Sequence, residues 1–416
     1  MNLPAVCFAI PAMDELGTLE KTLECIARQD YRGKISVWVC VNGPYSDYEI
    51  ADNDNIRQAI ENAKMRILHN ELLWNQLIQN PWNLDLHLID RYSPEKAWRE
   101  KQAGVGLARQ HCIAALLPHA SDDNILISMD ADTLFHPDFV REVVHCLQRH
   151  PHATAVNPPY YHPLSGDEAQ DRAMLRYEIY LRCHLIQLLR IGSPYAFTAL
   201  GSAIACRLSD YQKSGGYDSQ QAGEDFYLLQ KLAKMGKIAL DCRAKVYPAN
   251  RLSDRVPFGT GPAIKIFQEG IQGKYPIFSK KGYDAIAQSY QMLPALQQAD
   301  VRTPLTDFLD ETFPQKGGWD KLRKNYPGLA NFTKAFHQKA DGLRLFQFLK
   351  AFRLANPSTD EENLQELWDM ITEASHDNPP APLPSPLRLD HLNAATLHLI
   401  RLELETFEER LRMRRE

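Results

Sequence analysis

The sequence predicts an α/β protein built on a mainly parallel sheet flanked by helices, followed by a C-terminal helical region. Three observations carry that expectation. Up to about residue 245, short runs rich in Val and Ile alternate with helical patterns, the signature of strand and crossover-helix units. Those runs are continuously apolar, not alternating, as strands covered on both faces are. After about residue 260 the strand pattern stops and helical segments take over.

The runs predict strands at 6–11, 35–41, 84–89, 125–129, 153–157, 199–206 and 238–241. Between the second and third lies 52–78, a polar and helical stretch longer than a crossover needs. Beyond 260, residues 283–298 and 342–354 read as helices. The segment Asn378-Pro379-Pro380-Ala381-Pro382-Leu383-Pro384 is a proline-rich break before a last helix with mixed charges over 401–416. The expected division is a catalytic domain over 1–260, a helical accessory region over 261–376, and a linker with a final helix over 377–416. There is no internal repeat.

A chain of 416 residues, 44% hydrophobic, buries a large core and has room for more than one domain. A net charge of -5 gives no global field for nucleic acid or anionic lipid, so phosphate chemistry has to be local. The eight cysteines contain no C-x-x-C pair, and several sit in apolar stretches such as Ala5-Val6-Cys7-Phe8. They read as reduced core residues, which argues for the cytosol and against a zinc site. No run approaches the ~18 apolar residues of a membrane span, so cytoplasmic placement is expected. Peripheral contact with the inner face of the membrane is left open by Leu345, Phe348, Leu349 and Phe352, a helical stripe beside Arg344, Lys350 and Arg353. Packing against the catalytic domain is the favoured reading of that stripe.

In open sheets of this type ligands sit beyond the carboxyl ends of the strands. The first run ends in Pro11-Ala12-Met13-Asp14-Glu15, the second in Asn42-Gly43-Pro44, the third in Asp90-Arg91 and the fourth in Asp130-Ala131-Asp132. A pair of aspartates one residue apart is weak by itself, as Asp52-Asn53-Asp54 in this chain illustrates. Asp130 and Asp132, however, cap Ile125-Leu126-Ile127-Ser128-Met129, so both carboxylates can reach one ion or its bound nucleotide. Hard Mn²⁺ or Mg²⁺ suits carboxylates plus diphosphate oxygens. The plain structural alternative is a strand end followed by an Asx-type turn.

Gly223-Glu224-Asp225 precedes the helical run Phe226-Tyr227-Leu228-Leu229. Acidic residues there satisfy free N–H groups, or one of them serves as a general base. The segment Arg251-Leu252-Ser253-Asp254-Arg255-Val256-Pro257-Phe258-Gly259-Thr260-Gly261 is either an interdomain linker or a flap over a diphosphate with Arg255 neutralising its charge. Gly104-Val105-Gly106 lacks both a preceding strand and a third glycine, so a dinucleotide site is not expected.

Taken in order, Pro11–Glu15, Val41-Asn42-Gly43, Asp130-Ala131-Asp132 and Gly223-Glu224-Asp225 resemble the motif series of family-2 glycosyltransferases. Gly104–Arg109 is similar to that family's Gly-rich segment, and Gly201–Arg207 with Gly215-Gly216-Tyr217-Asp218 to the stretch leading into its acidic motif. The resemblance covers about 1–245. It implies the GT-A fold and transfer of a sugar from a nucleotide-diphosphate donor to an acceptor hydroxyl. It further implies that Pro11, Asp14, Glu15, Asn42, Arg109, Asp130 and Gly201 contact the nucleotide sugar and that Asp132 ligates Mn²⁺ or Mg²⁺, with Asp130 on the ribose or the metal. Asp225 would be the base and Glu224 its helper or an acceptor contact. Met13, Asp14 and Asn42 depart from the family's usual aromatic residue, Asn and Asp, which leaves the nucleotide base unassigned. The acceptor, whether glycan, lipid-linked or small molecule, is not legible. Inversion at the anomeric carbon is expected; retention, or a sugar-phosphate nucleotidyltransferase activity, are the alternatives.

Overall fold

The computed structural model of the chain describes residues 3–52, 57–99, 104–198, 203–218, 223–240, 242–251, 263, 265–267, 275–314, 318–375 and 378–414. It divides into two compact units, Met1–Ser165 with Ala199–Pro262, and Gly166–Thr198 with Ala263–Glu416.

The first unit carries strands β1 (Val6–Ala12), β2 (Ile35–Asn42), β3 (Asp85–Arg91), β4 (Ile125–Met129), β5 (Thr133–Phe135), β6 (Ala153–Val156), β7 (Ala203–Arg207), β8 (Lys237–Ala239) and β9 (Val246–Pro248). Seven of them form one sheet in the order β3-β2-β1-β4-β7-β6-β8. β3, β2, β1 and β4 run parallel, and β7 alone runs against its neighbours β4 and β6. The expected mainly parallel α/β sheet is therefore present. Every residue of β1 and β4 is buried, as their unbroken apolar runs require. β3, at the sheet edge, is half-exposed despite a similar run.

Crossovers are made by α1 (Leu19–Ala27), α2 (Ser46–Ala51), α3 (Arg57–Gln79), α4 (Val105–Leu116) and α5 (Phe139–Arg149). The long polar stretch after β2 is thus two helices, and α3 buries only Ala63, Asn70, Leu73 and Leu77. β5 and β9, unforeseen from the sequence, pair antiparallel with Thr133 opposite Pro248. Strands of three residues carry too little apolar pattern to be read locally.

The second unit corrects the linear division of the chain. Helix α6 (Glu168–Arg190) lies within the first 260 residues yet belongs to the C-terminal unit, because Leu175, Ile179, Cys183 and Ile186 share a core with Leu397, Ile400, Leu404 and Phe407 of the last helix, Ala394–Met413. Residues 378–414 are not a separate domain either, since Leu383 and Leu387 of the proline-rich break pack on that same core. Leu345, Phe348 and Leu349 are buried inside this unit, where Phe348 meets Phe308 edge-on, so the stripe is not offered to a membrane surface. Among the described residues no helix is long and apolar enough to cross a membrane. All eight cysteines are free thiols.

Three glutamates and three arginines are buried between α6 and the last helix. Arg182 bonds Glu178 Oε1 at 2.7 Å and Glu408 Oε2 at 2.8 Å, Arg412 bonds Glu408 at 2.7 Å, and Arg401 bonds Glu178 at 3.2 Å. Glu405 stands 3.7 Å from Arg182 and completes a balanced set. Removing one member strands a buried charge, so Glu408→Ala should cost about 3–5 kcal/mol. Leu399→Ala, on the exposed side of the same helix, should stay within about 0.5 kcal/mol. Urea melts of the two variants check this.

Candidate active site

The carboxyl ends of β1, β2 and β4 and the start of helix α7 (Glu224–Met235) supply the site. After β1, with Pro11 buried, Asp14 takes a left-handed backbone, φ 58°, unusual for a residue with a side chain. Helix α3 holds it there. The Asp14 N–H donates to Asn70 Oδ1 at 3.0 Å, and its carboxylate meets His69 Nδ1 at 2.6 Å. Asn70 reaches on to the carbonyl of Asn42, at the end of β2, donating at 3.2 Å. Asn42 is 6% exposed and its side-chain oxygen has no partner among the described residues. A buried acceptor at a strand end is suited to an N–H donor.

Met129 ends β4 and Thr133 begins β5, so Asp130-Ala131-Asp132 is the link between two strands. Helix α1 pins it: Thr22 Oγ1 donates to the carbonyls of Ala131 at 2.9 Å and Thr133 at 3.1 Å. The β5–β9 pairing then sets Arg251, three residues past Pro248, beside Asp132, one residue before Thr133. Arg251 Nε donates to Asp132 Oδ2 at 2.7 Å and Nη2 to Glu15 Oε1 at 2.6 Å. Glu15 also accepts from Thr18 Oγ1. Burial, and next the Glu15 charge, push the Asp132 carboxyl up to about 6 against the opposing pull of Arg251.

Arg109, in α4, corrects the expectation drawn for it. Its guanidinium is turned onto the protein: Nη2 to Asp130, Nε to Glu224 Oε1 at 3.0 Å, Nη1 to Ser128 Oγ at 2.7 Å. At 1% exposure and with the Tyr217 ring beneath it, it offers no open face to a nucleotide sugar. Glu224 is correspondingly buried and committed to Arg109, which makes it a brace more than a helper.

Gly223 caps α7 with φ 78°, a left-handed conformation that turns the chain into the helix. Asp225 follows in the first turn, its Oδ1 accepting the Phe226 N–H at 2.7 Å. Burial, then the neighbouring Glu224 charge, raise its carboxyl to about 8. A carboxyl held near neutrality is suited to accept a proton.

Asp90, expected on the same edge, is consumed by its own turn, accepting from the N–H groups of Tyr92 and Ser93 at 3.1 Å each and from Lys96 Nζ at 3.1 Å. Gly201 and Arg255 lie outside the described residues, as does Asp54 of the second D-x-D string. His69 and Asn70 carried no sequence signal beyond the excess length of 52–78, and Arg251 was marked only as the first residue of the 251–261 segment, whose charge role went to Arg255.

Among the described residues, Arg109 pairs with Asp130 and Glu224 and Arg251 with Glu15 and Asp132, with Asp225 a fifth carboxyl next to Glu224. Among the described residues no three His, Cys, Asp or Glu side chains converge as a ready-made metal cage. A divalent ion carried by a diphosphate needs only one or two protein carboxylates, and the excess negative charge with hard oxygens fits such an ion.

A mainly parallel sheet with one reversed strand after β4, and acidic groups gathered at its carboxyl edge, defines a protein of the GT-A class. Residues 125–265 match the family model described as glycosyl transferase family group 2. Similar solved structures include Staphylococcus aureus TarS 1-349 in complex with UDP-GlcNAc, at 12% identity over 85% of this chain and 92% of that one, TM-score 0.41. Another is the mannosyltransferase PcManGT from Pyrobaculum calidifontis in complex with GDP-Man and Mn²⁺, at 18% identity over 89% and 88%, TM-score 0.34. No curated protein gives a significant match.

Proposed function

We propose that the chain transfers a sugar from a nucleotide-diphosphate donor to an acceptor hydroxyl, with inversion. The observation that carries this reading is Arg109: one buried guanidinium ties Asp130, at the end of β4, to Glu224, the neighbour of the raised carboxyl of Asp225. That brace supports a donor site and a base working at a set separation.

Asn42 and Asp14, steadied by Asn70 and His69, receive the nucleoside. Pro11 and Glu15 belong to the same donor site, and the donor contacts expected of Gly201 and Arg255 lie outside the described residues. Asp132 would hold Mn²⁺ or Mg²⁺, with Asp130 on the ribose or the metal. When bound, the divalent ion supplies Lewis-acid stabilisation of the leaving diphosphate. Asp225 takes the proton of the acceptor hydroxyl as the oxygen attacks the anomeric carbon from the face opposite the diphosphate, through an oxocarbenium-like transition state. Eight free thiols support work in a reducing compartment such as the cytosol.

The test is a panel of UDP-, GDP- and other nucleotide sugars with Mn²⁺ and a hydroxyl acceptor library, read as nucleoside diphosphate release and product anomer. Release with inversion is expected. Pyrophosphate-dependent exchange would mean a nucleotidyltransferase, and a retained anomer would remove Asp225 as base. In the same assay Asp132→Ala should lose metal dependence and donor affinity together; an Asp132→Ala protein still stimulated by Mn²⁺ would displace Asp132 from the metal.

A further inference from the structure

Arg251 has no task in the reaction just given, yet its guanidinium bridges two carboxylates at the centre of the site. It is bonded to Asp132 Oδ2 at 2.7 Å and to Glu15 Oε1 at 2.6 Å, with 30% of its side chain exposed. The planar fork spans both acids at once, which a point charge does not. Its position follows from the fold, since β9 paired on β5 delivers it to Asp132.

Resting on the donor-site reading above, we propose that Arg251 is the resident cation of this site, holding Asp132 in the donor-free protein and releasing it only to a metal that arrives with a nucleoside diphosphate. A bare divalent ion on Asp132 would have to displace a positive group already satisfied by two carboxylates. It would bring that group no new anion. The metal complex of a nucleoside diphosphate brings negative oxygens with it, and a guanidinium fork pairs with phosphate as well as with carboxylate. Metal and donor therefore enter together. In the free protein the guanidinium holds Glu15 and Asp132 together without recruiting metal, and loss of the diphosphate product returns Arg251 to Asp132.

Binding of Mn²⁺, followed by equilibrium dialysis as the excess Mn²⁺ on the protein side over a protein-free side carrying the same nucleotide, tests this without turnover. Wild type, Arg251→Gln, Arg251→Lys and the double variant Arg251→Gln/Asp132→Asn are titrated with Mn²⁺ alone, and wild type again with UDP and GDP present. Arg251→Gln should bind Mn²⁺ alone at least about tenfold tighter than wild type, the added Asp132→Asn should abolish the gain, and wild type should take up Mn²⁺ only with a diphosphate. Arg251→Lys, which keeps the charge but reaches one carboxylate, should fall between and decides the matter if Arg251→Gln melts early. Equal Mn²⁺ affinity in wild type and the arginine variants, with nucleotide-assisted uptake intact, overturns the role of Arg251 alone. Absence of Mn²⁺ uptake by wild type with any nucleoside diphosphate overturns the donor-site reading and this one with it.

Discussion

Asp225→Asn should bind donor as wild type does and turn over about 10²–10⁴-fold more slowly, the usual contribution of a positioned base. The amide keeps the shape of the side chain but accepts no proton. The wild-type pH profile supplies an independent check. With the carboxyl raised to about 8, the base is ionised only in a small fraction of molecules near pH 6, so kcat/KM should fall about tenfold per pH unit on the acidic side and level off above that value. The residual activity of Asp225→Asn should be flat over the same range. A variant within about tenfold of wild type, or one that keeps the sloping acid limb, would mean that another group takes the proton.

The same carboxyl links pH to stability. Its folded value, about 8, lies above its ordinary 3.8, so the folded state holds a proton that the unfolded chain has released. The stabilisation from that preference is complete below 3.8 and is lost as pH rises through about 8. Above that range the protein bears a poorly solvated carboxylate. Asp225→Asn removes it, so the variant's gain in Tm over wild type should be larger at pH 9 than at pH 5; a gain that is constant or greater at pH 5 would contradict the raised value.

Arg109→Gln should be the most damaging single change in the catalytic unit. It deprives Glu224 and Asp130 of their shared cation and leaves the half-exposed Asp130 and the buried Glu224 facing Asp225. Breaking a buried pair costs about 3–5 kcal/mol. The Arg109 charge also lowers the Asp225 carboxyl, while Glu224 and Asp130 raise it, so its loss should move the kcat/KM profile further toward alkaline pH. A merely structural residue would not shift that profile. Arg109→Lys should restore the profile more than the stability, because a lysine ammonium keeps the charge without the fork that serves Glu224, Ser128 and Asp130 together. Arg109→Met with Glu224→Gln should melt above Arg109→Met alone, since the second change removes the stranded charge. Urea melts at two pH values with the pH–rate profile decide these outcomes.

Much of the site was legible because local rules govern where its residues sit. An unbroken apolar run places Asp130 and Asp132 at the end of β4, and an acidic pair before an apolar helix places Glu224 and Asp225 in its first turn. The second D-x-D string was set aside on the same ground, following no strand. What local pattern could not supply was pairing. Arg109 meets Glu224 across 115 positions and Arg251 meets Glu15 across 236, and neither spacing leaves a trace in sequence. His69 and Asn70 lie on a helix whose sequence shows only that it is polar and long.

The unit boundary failed for a related reason. Helix α6 follows β6 in the chain, and its own pattern states that it buries a face but not against which partner; the core it shares with Ala394–Met413 is formed some two hundred residues later.

The order of its strands' apolar runs and the acids that cap them, then, was determined by sequence alone, since strand periodicity and chain-end chemistry act over a few residues. Tertiary structure decided the use of the arginines. A guanidinium reads as a nucleotide contact until folding brings carboxylates to it, and burial then makes each pairing obligatory, because an unpaired charge out of water costs more than the rest of the local structure can return.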